Sequence, residues 1–184
     1  MKILVAITGA SGSIYAQRLL LNLENSPKID KISVVFSKNA IKIYESELKT
    51  TVKETKKIQI FEAQDFTAPF ASGSGECDAM IICPCSAGSL GRIASGVSDS
   101  LITRAADVML KERRPLILVL RETPYNLIHI KNMETLTLAG AIICPACPSF
   151  YSNPQNITQL VDTVVLRILD ILKIPNNGFK WGKN

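Results

Sequence analysis

Charged residues that could bind an anion lie close together in the middle of the chain. A segment with helical character carries Arg104 and Lys111, and the apolar run Leu116–Leu120 that follows it ends abruptly in Arg121 and Glu122. In an open α/β sheet, ligands bind beyond the carboxyl ends of the parallel strands. An arginine fixed at that edge is suited to an anionic ligand. Arg121 and Glu122 therefore mark a candidate active site.

The segment Gly9–Ser13 (GASGS) follows an apolar run and leads into a helical pattern. Its glycines lie three apart, so it lacks the Gly-x-Gly-x-x-Gly fingerprint of dinucleotide-binding proteins. The second predicted strand ends in Ser37 rather than in an acidic residue. Backbone amides at the helix start, with the hydroxyls of Ser11 and Ser37, would cradle a monophosphate. A tight turn before an ordinary α/β helix explains this segment alone equally well.

A second small-residue segment is predicted as a loop over residues 84–96, after the strand that ends at Cys83. At the carboxyl edge of the sheet, its amides and hydroxyls could reach a polar ring edge or a ribityl chain. With the first segment and Arg121, it predicts a pocket for a mononucleotide. The residues concerned are Ser86, Ala87, Gly88 and Ser89.

Short apolar runs alternate with helical patterns along the chain. Near-continuous apolar runs are typical of buried parallel strands, and the last helix has a cap pattern at Asn156 and Gln159. The alternation predicts one domain, residues 1–184, with a doubly wound, mostly parallel sheet in a flavodoxin-like or Rossmann-like three-layer sandwich. Residues after about 175 are expected to be mobile or to form an interface. The predicted strands are 2–8, 31–36, 58–61, 79–83, 116–120 and 141–144.

Charge and hydropathy limit the expected partners. The 184 residues include 21 Lys and Arg against 16 Asp and Glu, and the basic residues are scattered rather than massed. Small anions such as phosphate compounds are therefore expected partners, and nucleic acid is not. No apolar run of about 18 residues could span a bilayer, and no secretory segment follows Met1. We therefore expect a soluble, cytoplasmic protein that does not bind membranes.

Five cysteines, an odd number, are expected to be reduced thiols in the cytosol. Cys83 and Cys85, and likewise Cys144 and Cys147, have short spacings that a zinc site could use. Both pairs lie at the ends of apolar strands, where cysteine packs as a small buried hydrophobe. This interpretation is favoured over a metal or redox role, so no metal is predicted.

Several of these segments together resemble one protein family. The segments GASGS, APFASGS, CPCSAGSL, TRAADVMLKERRPLILVLRETP and PSFYSNPQ, with the Ser37–Lys38 step, are similar to motifs of the UbiX family of flavin prenyltransferases. The resemblance spans nearly the whole chain. It implies a flavodoxin-like homo-oligomer, typically a dodecamer, with flavin at the subunit interfaces. It also implies transfer of a dimethylallyl group from dimethylallyl phosphate to reduced FMN, giving prenylated FMN for a UbiD-type decarboxylase.

The resemblance implies roles for individual residues. Glu47 and Glu122 match acidic residues of the reaction centre, where Glu122 would manage the proton at flavin N5 directly or through Ser11. Ser152 departs from the family, because many relatives have histidine there. Dimethylallyl phosphate would be bound, in part from a neighbouring subunit, by Tyr151, Arg167, Lys111 and Arg104. FMN would be bound by Gly9, Ala10, Ser11, Ser37, Ser86, Ala87, Gly88, Ser89 and Arg121.

These residues also have ordinary structural interpretations. Fixed cations would stabilise a departing allylic phosphate without a metal, but the same side chains could serve packing or solvation alone. Glu122 could simply pair with Arg121. Solvation of a helical face or packing in a turn could account for Arg104, Lys111, Tyr151 and Arg167.

Two other functions are compatible with the predicted fold. An FMN-dependent cysteine decarboxylase would need a catalytic histidine and an Asn-rich recognition loop. Neither is found, and the single histidine, His129, is predicted to lie mid-helix in a structural role. A non-catalytic FMN-binding subunit would need the flavin-binding segments but not Lys111, Tyr151 and Arg167. The joint presence of these three residues favours catalysis.

Overall fold

A six-stranded sheet forms the centre of the computed structural model, which describes residues 1–182. The strands are β1 (Lys2–Ile7), β2 (Lys31–Phe36), β3 (Ile58–Phe61), β4 (Ala79–Cys85), β5 (Leu116–Leu120) and β6 (Ile142–Ile143). Every neighbouring pair is parallel. Apart from the first residues of β1 and β2, the four central strands are buried along their length. Burial on both faces explains their near-continuous apolar sequences.

The chain changes its winding direction between β1 and β4. It runs outward from β1 through β2 to β3, then crosses back to β4 on the other side of β1, giving the order β3-β2-β1-β4-β5-β6. At the carboxyl edge, Ile7 pairs with Phe36 and Cys85 pairs with Leu120. In doubly wound sheets, such a switch point opens a crevice that binds ligands. The predicted fold class is confirmed.

Helices cover both faces of the sheet. One layer contains α1 (Ser13–Asn25), α2 (Ala40–Leu48) and α6 (Ile157–Ile171). The other contains α3 (Ala87–Ala94), α4 (Leu101–Lys111) and α5 (Leu127–Leu138), with a short 3-10 turn at Pro69–Ala71. Each layer packs its apolar side chains on one face of the sheet. Within residues 1–182, no helix is both long enough and apolar enough to cross a membrane.

Residues 84–96 do not form the predicted loop. β4 continues to Cys85, and α3 occupies most of the remainder. The helix forms because Ser86 caps its start and because Leu90 and Ile93, three residues apart, are buried beneath it. The glycine and serine residues around them are common in loops, which is why the sequence predicted a loop here. The second small-residue segment is therefore a helix N-terminus.

The cap predicted for the last helix is confirmed. The Asn156 side chain accepts a hydrogen bond from the Gln159 amide at 2.9 Å. Val165 and Ile168 are fully buried against the sheet, as the spacing predicts, but Ile157 in the first turn is 70% exposed. The packed stripe therefore begins later in α6 than its sequence pattern indicates.

Candidate active site

Thr8 joins the two central strand ends at the switch point. Its side chain is buried, and its hydroxyl donates to the Pro84 carbonyl at 2.8 Å and accepts from the Ser86 amide at 2.8 Å. These bonds tie the end of β1 to the end of β4 and the start of α3. This role of Thr8 was not predicted from the sequence. The available signal was a polar residue that closes an otherwise apolar run.

The start of α1 binds a carboxylate of the same chain. Gly12 has a φ of 103°, in the left-handed region that glycine adopts readily. Its amide donates to Glu47 at 3.0 Å, and the Ser13 amide donates to Glu47 at 2.7 Å. Two amides at the helix start, where sequence analysis predicted a phosphate cradle, therefore hold Glu47. The carboxylate comes from α2 and caps α1.

Hydrogen bonds keep the Glu47 carboxylate charged. Burial alone would raise the pKa of Glu47, but hydrogen bonds from Ser11, Ser13 and Gly12 outweigh burial and hold the pKa below its ordinary value of 4.5. The positive end of the helix dipole acts in the same direction. Glu47 therefore offers the Ser11 hydroxyl a fixed, negatively charged acceptor.

Replacing Glu47 with alanine is expected to lower the free energy of unfolding by about 1 kcal/mol at neutral pH, because α1 loses its cap. Since the folded-state pKa of Glu47 is lowered, its stabilisation is present above the ordinary carboxylate pKa and is lost as the pH falls through the folded-state value. Urea unfolding at several pH values between about 7 and 3 should show a shallower acid loss in Glu47→Ala. Glu45→Ala, an exposed position on the same helix, is the control. An unchanged acid slope in Glu47→Ala would contradict the capping role.

The other predicted flavin-binding residues near β1 lie at the same edge of the sheet. The Ser37 amide donates to the Ile7 carbonyl at 2.9 Å, and the Ala10 amide donates to the Thr8 carbonyl at 2.8 Å. Gly9 is exposed and packs close to Asn39, since a Cβ at Gly9 would lie 3.5 Å from that side chain. The ends of β1 and β2 therefore carry the predicted residues Gly9, Ala10, Ser11 and Ser37, of which Ala10 is buried.

Arg121 follows β5 at this edge and carries an unsatisfied polar atom. Its amide donates to the Cys85 carbonyl at 3.0 Å, and its aliphatic chain passes beside Gly12. Its Nε is buried and has no hydrogen-bond partner. A buried donor without a partner is costly and is rare in native proteins. An acceptor from a bound ligand would satisfy it, so the site fits an anionic or carbonyl-bearing group.

Glu122 does not pair with Arg121. The ion pairs among residues 1–182 do not include a bond between these neighbours. One Glu122 oxygen instead accepts from the Thr123 amide at 3.1 Å. The simple ion-pair interpretation is therefore wrong, and the Glu122 carboxylate keeps acceptor capacity for other groups.

The start of α3 contributes hydroxyls and open space. The Ser86 hydroxyl accepts from the Ser89 amide at 3.2 Å and lies 3.0 Å from the Ser89 hydroxyl. Gly88 is exposed, and a Cβ added there would meet nothing within 4 Å. A ligand could therefore approach the α3 backbone closely at Gly88.

Gly88→Ala separates stability from ligand binding. Alanine in a helix is favoured over glycine by about 0.5–1 kcal/mol, and the added methyl group meets no protein atom, so thermal stability should rise. If flavin lies against this backbone, the same methyl group should weaken FMN binding. Fluorescence titration with FMN and a thermal melt measure the two effects. Gly91→Ala, on the same helix, is the control and should keep FMN affinity; unchanged affinity in Gly88→Ala would remove α3 from the flavin site.

Tyr151 and Arg167 lie together in a cavity of about 1050 Å³. The cavity is bounded by the segment after β6, by α6 and by residues 177–181, and it also includes Ser152. Tyr151 is 72% exposed, so it is not simply a packing residue. The structure thus brings together two of the four residues predicted to bind the prenyl donor.

Arg104 and Lys111 lie elsewhere in the chain. Both belong to α4, in the helical layer opposite α6, and neither lines the cavity of Tyr151. The Arg104 Nε donates to the Ala71 carbonyl at 2.9 Å, and Lys111 pairs with Glu112. A single chain therefore does not place these two cations beside Tyr151 and Arg167. They can serve that site only in another copy of the chain.

The cysteines behave differently from one another. Burial raises the pKa of Cys85 to about 12 and that of Cys77 to about 11, and burial raises the pKa of Cys83 as well. Cys83 and Cys85 pack as small hydrophobes, as predicted, whereas Cys144 is only partly buried. Cys147 is exposed, so its prediction as a buried hydrophobe is wrong. It lies beyond β6, in a turn where its amide donates a hydrogen bond to the Pro145 carbonyl at 2.7 Å.

His129 lies in the first turn of α5 rather than mid-helix. Its amide donates to the Asn126 side chain at 2.9 Å, and its Nδ1 accepts from the Asn126 amide at 3.4 Å. This reciprocal arrangement caps the helix. The single histidine therefore has a structural role in the fold, as predicted.

The sheet, its switch point and the small-residue segments at its carboxyl edge define a mononucleotide-binding α/β protein. In agreement, the Flavoprotein family model matches residues 1–169. The chain is 47% identical to the flavin prenyltransferase UbiX of Methanocaldococcus jannaschii, and the alignment covers 99% of each chain. The protein belongs to the UbiX family of flavin prenyltransferases, which confirms the family expected from its motifs.

Solved structures agree with this assignment. AnUbiX (PadA1), in complex with FMN and dimethylallyl pyrophosphate, superposes with a TM-score of 0.86 at 38% identity, covering 97% of this chain and 98% of that chain. A dodecameric FMN-dependent UbiX-like decarboxylase from Escherichia coli O157:H7 gives a TM-score of 0.92 at 36% identity, covering 98% and 99%. Both likenesses extend over essentially the whole fold.

Proposed function

We propose that this protein transfers the dimethylallyl group of dimethylallyl phosphate to reduced FMN. The observation that carries the proposal is the buried, unpartnered Nε of Arg121 at the switch-point edge. A flavin bound there would supply the missing acceptor, and AnUbiX binds FMN together with dimethylallyl pyrophosphate. The cavity of Tyr151 and Arg167 provides room for the prenyl donor.

The proposed FMN site follows the carboxyl ends of β1, β2, β4 and β5. Arg121 donates from its buried Nε, and the start of α3 offers amides, hydroxyls and the open surface at Gly88. Reduced FMN supplies the nucleophile, its ring nitrogen N5. The residues assigned to FMN are Gly9, Ala10, Ser11, Ser37, Ser86, Ala87, Gly88, Ser89 and Arg121.

Tyr151 and Arg167 bind the phosphate of the donor. When the carbon–oxygen bond of the allylic phosphate breaks, the phosphate leaves with the electron pair. Its added negative charge is stabilised by the Arg167 guanidinium and the Tyr151 hydroxyl. Lys111 and Arg104 supply further positive charge from a neighbouring subunit, because α4 of the same chain lies in the opposite layer. Fixed side-chain cations thus supply the charge stabilisation.

Transfer of the proton from flavin N5 involves three residues: Glu122, Ser11 and Glu47. Glu122 accepts the proton, directly or through the Ser11 hydroxyl. Glu47 accepts a hydrogen bond from Ser11 and keeps its own charge because its pKa is lowered. Glu47 therefore orients Ser11 rather than taking the proton itself.

Assembly into a homo-oligomer completes the site. α5 exposes large apolar side chains: Leu127 and Ile128 are each 69% exposed, and Leu138 is 83% exposed. Exposed apolar surface of this kind marks interaction sites, and the similar protein from Escherichia coli O157:H7 is a dodecamer. A dodecamer is the assembly we expect. The product, prenylated FMN, would serve a UbiD-type decarboxylase in the cytoplasm, without nucleic acid or membrane as partner.

The test is anaerobic incubation with reduced FMN and dimethylallyl phosphate, followed by mass spectrometry of the flavin. We expect the flavin to gain one five-carbon unit, and we expect Arg121→Ala to lose FMN binding. Parallel reactions with dimethylallyl diphosphate compare the two donors, and a peptide ending in cysteine tests the decarboxylase alternative. An unchanged flavin mass, with folded protein and both substrates bound, would refute the proposal and favour a non-catalytic FMN-binding subunit.

A further inference from the structure

A short segment after the 3-10 turn, residues 71–75, lies along α4. Ala71 is buried in the same apolar core as the inner face of this helix. The Arg104 Nε donates to the Ala71 carbonyl at 2.9 Å. Further along the segment, a Cβ added at Gly73 would lie 2.6 Å from the Lys111 Nζ. The segment therefore touches both cations that α4 contributes to the proposed donor site.

Glycines let this segment lie directly on its neighbours. A side chain at position 73 would also collide with the Glu112 carboxylate, which pairs with Lys111. Gly75 is equally restricted, because a Cβ there would lie 2.6 Å from the Pro69 carbonyl carbon. The backbone thus packs against α4 at one glycine and against the 3-10 turn at the other. As a result, the position of the segment and the position of the Lys111 side chain depend on each other.

Arg114 holds the far end of the segment. Its Nη2 donates to the Gly73 carbonyl at 2.7 Å, and its Nη1 donates to the Gly75 carbonyl at 2.9 Å. Glu76 and Asp78 line the same pocket at the amino edge of the sheet. Even so, the ion pairs among residues 1–182 do not include Arg114. The planar guanidinium fork is therefore used on two backbone carbonyls.

Two adjacent arginines at the end of α4 differ in their surroundings. The Arg113 amide donates to the Leu110 carbonyl at 3.1 Å, and the Arg114 amide donates to the Met109 carbonyl at 2.8 Å. Both residues are thus fixed to the last turn of the helix through their backbones. The Arg114 side chain is half-buried against the segment, whereas Arg113 is exposed. Arg113 therefore provides a matched control for Arg114.

We propose that Arg114 is a positioning residue for the donor phosphate: by holding residues 73–75 against α4, it fixes the two cations of that helix. The inference rests on the proposed function, in which Lys111 and Arg104 stabilise the departing phosphate from a neighbouring subunit. Arg114 precedes β5, whereas Arg121 follows it, so the two arginines lie at opposite edges of the sheet. Arg114 therefore acts through the segment and does not touch the ligand.

Arg114→Lys tests the fork, because lysine keeps the charge but cannot reproduce the two parallel hydrogen bonds. Calorimetry on protein loaded with oxidised FMN measures donor binding without turnover, since the reaction needs reduced flavin. Dimethylallyl phosphate should bind about ten-fold more weakly, the factor that one hydrogen bond from a charged group can supply. FMN affinity should stay unchanged. Arg113→Lys is the control and should bind both compounds normally.

Gly73→Ala tests the same contact from the side of the segment. Its methyl group should displace the segment or the Lys111 ammonium while the Arg114 side chain remains. We expect the same weaker donor binding, again with unchanged FMN affinity. Thermal melts show whether each variant is folded. A lowered melting temperature with normal donor affinity would assign Arg114 to stability alone and overturn the proposal, as would equal losses of affinity for FMN and for the donor.

Mixed oligomers show in which half of the shared site Arg114 acts. Co-expressed Arg114→Lys and Arg167→Ala chains should recover roughly a quarter of the unsubstituted activity, because each variant supplies the half that the other lacks. Arg114→Lys mixed with Lys111→Ala should show no such recovery, because both changes affect the half that α4 supplies. A general folding defect in the Arg114→Lys chain would leave both mixtures without recovery. Equal activity of the two mixtures would therefore overturn the positioning role.

The outcomes distinguish this role from the proposed function. If the unsubstituted protein does not prenylate flavin, the proposed reaction fails, but a selective loss of dimethylallyl phosphate binding in Arg114→Lys would still support the positioning role. If the unsubstituted protein prenylates flavin and Arg114→Lys binds the donor and turns over normally, the positioning role alone fails.

Discussion

Glu122→Gln is expected to reduce formation of the prenylated flavin by about 10²–10⁴-fold, the usual contribution of a positioned acid or base. The substitution removes the charge but keeps the size of the side chain and an acceptor oxygen. That oxygen can still accept from the Thr123 amide, as Glu122 does at 3.1 Å. Because Glu122 forms no ion pair with Arg121, no buried cation is left without its partner. FMN and dimethylallyl phosphate should therefore still bind.

The measurement compares single-turnover product formation with the affinity for each substrate. Loss of product with unchanged affinities supports a role in the transition state only. Glu62→Gln, an exposed carboxylate outside the site, is the control and should react normally. Turnover at the unsubstituted rate in Glu122→Gln would remove the proton role from this residue, and weakened FMN binding would assign it to flavin binding instead.

Lys111→Ala and Arg167→Ala are each expected to abolish most activity, and mixed oligomers of the two variants are expected to recover it. The reason is the position of the two residues. Arg167 lies on α6 beside Tyr151, whereas Lys111 lies on α4 in the opposite layer and pairs with Glu112. In an interface that joins different surfaces of two copies, a site can take its lysine from one copy and its arginine from the other. Random mixing of the two variants then leaves both residues unsubstituted in roughly a quarter of the sites.

Co-expression of two differently tagged variants, followed by tandem purification, isolates the mixed oligomers. The control is a mixture of Arg167→Ala with Tyr151→Ala. These residues share one cavity in one chain, so every mixed site lacks one of them and no activity should return. Absence of recovery for Lys111→Ala with Arg167→Ala, in oligomers shown to be mixed, would remove Lys111 from the shared site.

Much of the fold was predictable because it depends on local sequence. The bounds of β2, β3 and β5 agree with the predicted runs. Burial on both faces explains the mostly apolar sequences of the central strands β2 and β5, whereas β3 at the sheet edge is only partly buried. The Asn156 cap was predictable for the same reason, because the residue and its partner Gln159 belong to the same turn. α3 was missed, because its glycine and serine residues favour turns and its helical residues are few.

Features that depend on contacts between residues far apart in the sequence were not predictable from local sequence patterns. Glu47 lies 34 residues after Ser13, and only folding brings its carboxylate to the start of α1. Thr8 is separated from Pro84 by 76 residues. The hydrogen bond by which it joins β1 to β4 therefore could not be predicted from the periodicity of the sequence. The ring of Tyr151 contacts the rings of residues 179 and 181, although all of α6 lies between these residues along the chain.

The sequence alone determined the strands, the position of Arg121 and Glu122 at a strand end, and the family to which the chain belongs. These properties are fixed by residue type and by neighbours along the chain. Only the tertiary structure decided which charges meet. It left the Arg121 Nε without a partner, placed Arg167 with Tyr151, and set Arg104 and Lys111 in the opposite helical layer. The physical reason is that side-chain proximity depends on how the helices pack on the two faces of the sheet, which spacing along the chain does not specify.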